Sequence, residues 1–226
     1  MLLRPPDKRV EKYRNIRETG RSLNNEILKV IPKQVIDRTA KEMRLLHKGM
    51  LVFDSQNETN YLFDRIIYDV PWDGKSAVEH FEAEEDHQLS EMEEEILQAM
   101  KNAYFSLFEI TGSVPGDYVQ LTDLLSDNQI KLMNINMSFT AHDGTLLATR
   151  ILNIQDIFIS TGAGFPFSAE HKKTLTSGLK SQQTARRGKR RRSIRRRNFS
   201  DPRNYSLYFF RQYRRFGMEM RTSEEF

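Results

Sequence analysis

The 226-residue chain contains no cysteine, which excludes a disulfide framework, thiolate zinc sites, iron–sulfur clusters and a cysteine nucleophile. No apolar run approaches the ~18 residues that a membrane-spanning helix needs. The opening Met1-Leu2-Leu3-Arg4-Pro5-Pro6-Asp7 lacks the apolar core of a signal peptide, so a cytoplasmic protein is expected. A Gly-x-Ser-x-Gly elbow, a Walker loop and a glycine-rich dinucleotide fingerprint are all missing. Gly162-Ala163-Gly164 runs into Phe165-Pro166 rather than into a helix start. No catalytic residue, metal or cofactor is therefore predicted, and a non-enzyme is favoured.

What the chain does have is enough apolar sequence for a packed core, 38% hydrophobic against 29% charged. Its charge is unevenly spread. Residues 1–48 carry net +7, residues 49–169 net −15 and residues 170–226 net +12. A basic–acidic–basic order points to a polyanionic partner, or to a tail that folds back on its own acidic body.

Hydrophobic spacing places helices first. Tyr13, Ile16, Gly20, Leu23, Ile27 and Val30 form one helical stripe. Pro32 separates it from a second helix over about 33–47, with Gly49 as its stop. Met50-Leu51-Val52-Phe53 is a short strand-like run ending in Asp54. Ser55/Glu58 and Ser90/Glu93 have the Ser-x-x-Glu spacing of capping boxes, each opening an apolar helical stripe. From Tyr104 the period changes to two. Strands are predicted over 104–111, 117–122, 129–139, 145–153 and 156–162, divided by turn residues such as Asp143-Gly144. Five short strands in about 60 residues suggest a small SH3-like or OB-like barrel, since closure removes exposed edges.

The expected organisation is thus α+β. A helical region (1–103) packs on a five-stranded barrel (104–169), followed by a basic, disordered linker (170–198) and an aromatic and basic final helix (199–226). The linker carries the strongest signal. Nine of the twelve residues from Arg186 to Arg197 are cationic: Arg186, Arg187, Lys189, Arg190, Arg191, Arg192, Arg195, Arg196 and Arg197. Such a density suits phosphate contact with counterion release, and arginine adds bidentate and stacking contacts. With Arg211, Arg214 and Arg215 this predicts a nucleic-acid-binding protein, RNA favoured over DNA. The nearby rings are read mainly as docking a last helix, with base stacking as the other use. An acidic face from Glu82 to Glu95 that binds a basic protein partner is the alternative. A Mg-dependent nuclease using Asp54 and Glu58 is a second one, although both carboxylates also suit helix capping. His80, Glu84 and His87 are spaced too widely for one ion on a straight helix, since seven residues rise ~10 Å.

Several stretches also carry a likeness: Tyr13-Arg14-Asn15 with Leu23 and Leu28, Leu51 to Ser55, Tyr104 to Phe108, Asp123-Leu124-Leu125, and Phe209-Phe210-Arg211 through Gly217. In these the chain resembles a group of uncharacterised bacterial, largely cyanobacterial, proteins. The resemblance implies a helical first half, a small barrel and a basic or helical tail. It implies no activity.

Overall fold

The computed structural model describes residues 8–84, 88–187 and 205–216. Helix α1 (Lys8–Lys29) buries Ile16, Leu23 and Ile27, the stripe read from the sequence. Pro32 caps α2 (Lys33–Met43), which stops earlier than its apolar spacing suggests. Arg44 takes the left-handed conformation there, φ 62°, and its amide returns to the carbonyls of the last turn. Gly49 is not the stop. With Lys48 it makes the positive-φ turn between β1 (Leu46–His47) and β2 (Met50–Leu51).

Helices α3 (Gln56–Asp69), α4 (Ala77–Glu82) and α5 (Glu91–Lys101) follow. Complete capping boxes open α4 at Ser76/Glu79 and α5 at Ser90/Glu93. At α3 the box is half formed. Ser55 accepts from the Glu58 amide, but the Glu58 carboxylate accepts from the amide of Asp54, at 2.8 Å, rather than from that of Ser55.

The barrel strands are β3 (Tyr104–Val114), β4 (Tyr118–Asp123), β5 (Gln129–Met133), β6 (Leu146–Ile154) and β7 (Ile157–Phe167). They close in the order β3-β4-β5-β7-β6, with β5 parallel to β7 and every other pair antiparallel. The strand expected over 129–139 ends at Met133. Asn134 then caps a short helix α6 (Ile135–Thr140) by accepting from the Met137 amide. A helix between the third and fourth strands and a parallel third–fifth pair select the OB-like alternative over an all-antiparallel SH3-like barrel.

Two cores result. Phe108, Ile110, Val119, Leu121, Ile130, Leu132 and Ile151 fill the barrel. The outward side chains of β3, β6 and β7 belong to a second, larger core shared with the helices. Burial patterns show the difference directly. β6 is buried on both faces along almost its whole length, whereas β4 alternates.

The chain then runs through a 3-10 turn (Ala169–His171) into α7 (Lys172–Arg187) and, later, α8 (Tyr205–Phe216). The helix at 172–187 corrects the expectation of disorder from residue 170. Its few apolar residues are well placed, because Leu175 and Leu179 are one turn apart and both buried. Leu207, Tyr208, Phe209, Phe210 and Tyr213 of α8 are buried too, so those rings dock the helix. Phe210 stacks on Tyr61, and Phe165 lies against both Phe210 and Tyr213. Gly178 of α7 gives Tyr208 room to donate from its hydroxyl to the Leu175 carbonyl.

A buried ionic network ties these layers. Arg150, on the helix-facing side of β6, bonds Asp64 at 3.1 Å and Asp69 at 2.9 Å and lies over the Tyr68 ring. Ser206 of α8 donates to the other Asp69 oxygen. Arg65 lies 3.6 Å from Glu42 of α2. Burial raises the proton affinity of Asp69 above that of an ordinary carboxylate, with Arg150 opposing the shift.

Candidate nucleic-acid interface

The residues read as phosphate-contacting fall into three groups. Lys189, Arg190, Arg191, Arg192, Arg195, Arg196 and Arg197 lie outside the described residues, as do His87 and the end of the chain from 217. Arg186 and Arg187 occupy the last turn of α7. Arg211, Arg214 and Arg215 stand on the exposed side of α8, opposite its buried rings.

Arg214 is engaged within the protein. Its guanidinium meets Asp54 and Glu58, each at 3.1 Å. The structure therefore does bring Asp54 and Glu58 together, around an arginine. Glu58 is 3% exposed and has one oxygen on Arg214 and the other on the Asp54 amide. Among the described residues no three His, Asp or Glu side chains are grouped so as to hold a metal ion. His80 lies flat on Trp72, ring centroids 4.1 Å apart, with Nε2 at 2.9 Å from the Trp72 carbonyl.

The acidic stretch is also partly engaged. Glu82 pairs with Lys101, Glu93 closes the α5 cap and Glu95 accepts from Gln155. Glu91 and Glu94 are exposed beside a shallow groove that also includes Gln98, Asn102 and Tyr104.

A different surface emerges on the barrel. The outward side chains of β4 and β5 are Tyr118, Gln120, Thr122, Gln129 and Lys131, all partly or fully exposed, with Met133 buried at the end. Lys131 stands 4.9 Å over the Tyr118 ring, and Arg9 of α1 approaches the same ring at 5.9 Å. Beside it, the β3–β4 turn holds Gly116, whose amide donates to Ser138. Phe139 of α6, 66% exposed, leans on this turn, and Val114 is exposed next to it. Arg9 also pairs with Asp117 at 3.4 Å, so this surface gathers an aromatic ring, two cations and an exposed second ring. On the other edge Lys172, the first residue of α7, bonds Glu109, which sits directly opposite Thr122. The helix leading to the arginine run thus departs from the border of this face. Alternation in 118–123 marks a half-exposed strand, but only the folded chain brings Lys131 and Arg9 to Tyr118 and Phe139 to the Gly116 turn.

These features define an α+β protein in which an OB-like mixed barrel is clasped by helices on one side and open on the other. Over residues 7–223 the chain matches the Family of unknown function (DUF7986), and it belongs to that family. No curated protein and no solved structure matches it. No described helix is long and apolar enough to cross a membrane.

Proposed function

We propose that the protein binds single-stranded nucleic acid, RNA favoured, with the open β4–β5 face as the base-contacting platform and the Arg186–Arg197 run as the phosphate-contacting arm. The observation that carries this reading is the approach of Lys131 and Arg9 to the Tyr118 ring on the strand-two/strand-three face, the one that OB-type barrels offer to oligonucleotides. Arg211 and Arg215, exposed on α8, are further cations on the helix side of the barrel. Arg214 serves α8 instead.

Because α8 is part of the core, the arm is tested by substitution in the full chain rather than by truncation. Binding to a labelled single-stranded RNA is followed from 50 to 300 mM salt. Affinity should fall steeply with salt, and Arg190, Arg191 and Arg192 changed together to Ser should lower the slope by about two to three. Tyr118→Ala should weaken binding by about 1–3 kcal/mol at any salt, as expected for one lost stacked base. Tight binding untouched by Tyr118→Ala would leave the arm alone as the element. No salt-dependent binding by the full chain would refute the reading. The exposed Glu91 and Glu94 beside their groove then favour the acidic face as a docking site for a basic protein.

A further inference from the structure

Six large apolar side chains stand exposed among the described residues, and three of them are consecutive: Met50 at 65%, Leu51 at 38% and Val52 at 51%. An exposed apolar run of that length is a fault unless it has a function. It makes up β2 and the residue after it, in the small hairpin between α2 and α3. Leu46 lies opposite Leu51 and His47 opposite Met50, and the Val52 amide donates to the Leu45 carbonyl at 2.8 Å. Leu45 and Leu46 before the turn and Phe53 after it join the core. The hairpin is thus anchored at its base, while the side chains of the run remain in solvent.

Cations lead into the same hairpin. Arg38 and Lys41 lie three apart on one face of α2, Arg44 is its C-terminal cap and Lys48 sits in the turn. All four are exposed and meet no carboxylate among the described residues. The two acids of this stretch are engaged, Asp37 with Lys33 at 2.5 Å and Glu42 with Arg65 at 3.6 Å.

We infer that this hairpin docks on an anionic lipid surface, with Met50, Leu51 and Val52 entering the acyl boundary and Arg38, Lys41, Arg44 and Lys48 among the headgroups. Apolar burial and headgroup attraction together give stable attachment where either alone is marginal. Each cation near such a surface strengthens binding about fivefold. Two other occupants fit less well. A nucleic acid would meet the cations, but it gives the aliphatic side chains no partner, and the hairpin presents no exposed Phe, Tyr or Trp for a base to stack on. A second copy docked symmetrically would bring like charges together, and a two-residue edge strand offers few hydrogen bonds for pairing.

The test uses the full chain. Because the chain has no cysteine, Met50→Cys gives a unique position for the environment-sensitive fluorophore NBD, on a side chain outside the core. Glu91→Cys, exposed on α5, is the control. The labelled proteins are mixed with vesicles of phosphatidylcholine and phosphatidylserine at about 3:1, or of phosphatidylcholine alone. On the anionic vesicles the emission at position 50 should move to the blue and rise about twofold or more, with position 91 unchanged. Phosphatidylcholine alone should bind about tenfold more weakly. In cosedimentation, Met50, Leu51 and Val52 changed together to Ser should lower the affinity about tenfold, and so should Lys41, Arg44 and Lys48 changed together to Gln. The arginine arm also attracts anionic vesicles, but it does not carry the probe at position 50 into an apolar medium. The inference is overturned if the chain fails to bind the anionic vesicles, if it binds both vesicles equally, or if it binds with the emission at position 50 unchanged. It is also overturned if the Ser variant folds and binds as tightly as the natural chain. An emission shift that follows protein concentration without vesicles would overturn it too, by assigning the hairpin to a second copy. Position 50 carries the test by itself if the Ser variant does not fold. Loss of RNA binding would not bear on it, because the two surfaces share no residue.

Discussion

Two glycines in helices show how the same residue type answers to different surroundings. Gly20 faces open space, so Gly20→Ala should stabilise the protein by about 1 kcal/mol through helix propensity alone. At Gly178 an added Cβ would lie 2.2 Å from the Tyr208 hydroxyl oxygen and 3.1 Å from its ring carbon. The same change there should cost about 1 kcal/mol net, overpacking outweighing propensity. Urea denaturation of both variants checks the opposite signs. The carboxylates divide in a similar way. Glu79 and Glu93 accept from the capping serines, which lowers their proton affinity. Their contribution to stability is present above the unfolded carboxylate pKa and is lost as pH falls through their folded values. Asp69 is shifted upwards by burial. Its contribution is complete below the unfolded pKa and is lost as pH rises through its folded value. Carbon-13 titration should find Glu93 below and Asp69 above the ordinary carboxylate range, and Ser90→Ala should return Glu93 to it.

At the scale of elements, α8 is a structural member of the core. Its rings enter the helix–barrel core, Ser206 joins the buried ionic network, and Arg214 clamps the start of α3. Arg214→Ala leaves the buried Glu58 without its cation. It should destabilise the fold by about 1–3 kcal/mol, discounted because the guanidinium is partly exposed. Asp54→Ala should change stability by less than about 1 kcal/mol, since Asp54 is largely exposed. Thermal unfolding of the two variants separates a clamp centred on Glu58 from one centred on Asp54. The capping boxes at α4 and α5 act locally, and Ser90 and Glu93 announce theirs in the sequence. The half-formed box at α3 does not announce itself. There the Glu58 side chain bonds the amide one residue earlier, because Arg214 from the far end of the chain holds its other oxygen.

For the whole molecule, the division of labour between barrel faces decides what is available for function. Helices α3, α5 and α8 pack against β3, β6 and β7, α1 packs on α3 and α5 and reaches β7 through the Arg17–Ser160 hydrogen bond, and the polar side chains of β4 and β5 stay partly or fully exposed. Local pattern alone determined much of this. The period-3.6 stripes of α1, α3 and α5, the change to period two at Tyr104, and the turn at Asp143-Gly144 could be read because each depends on neighbours a few residues away. The tertiary structure decided the rest. It made 172–187 helical by burying Leu175 and Leu179, and drew Arg214 onto Glu58. It also brought Arg9 and Lys131 to the Tyr118 ring. Each of these depends on residues far apart in the chain, in several cases by more than a hundred positions. Periodicity reports which face of an element is apolar. It carries no information about which distant element covers that face, and coverage determines whether an arginine, a ring or a carboxylate is engaged or free.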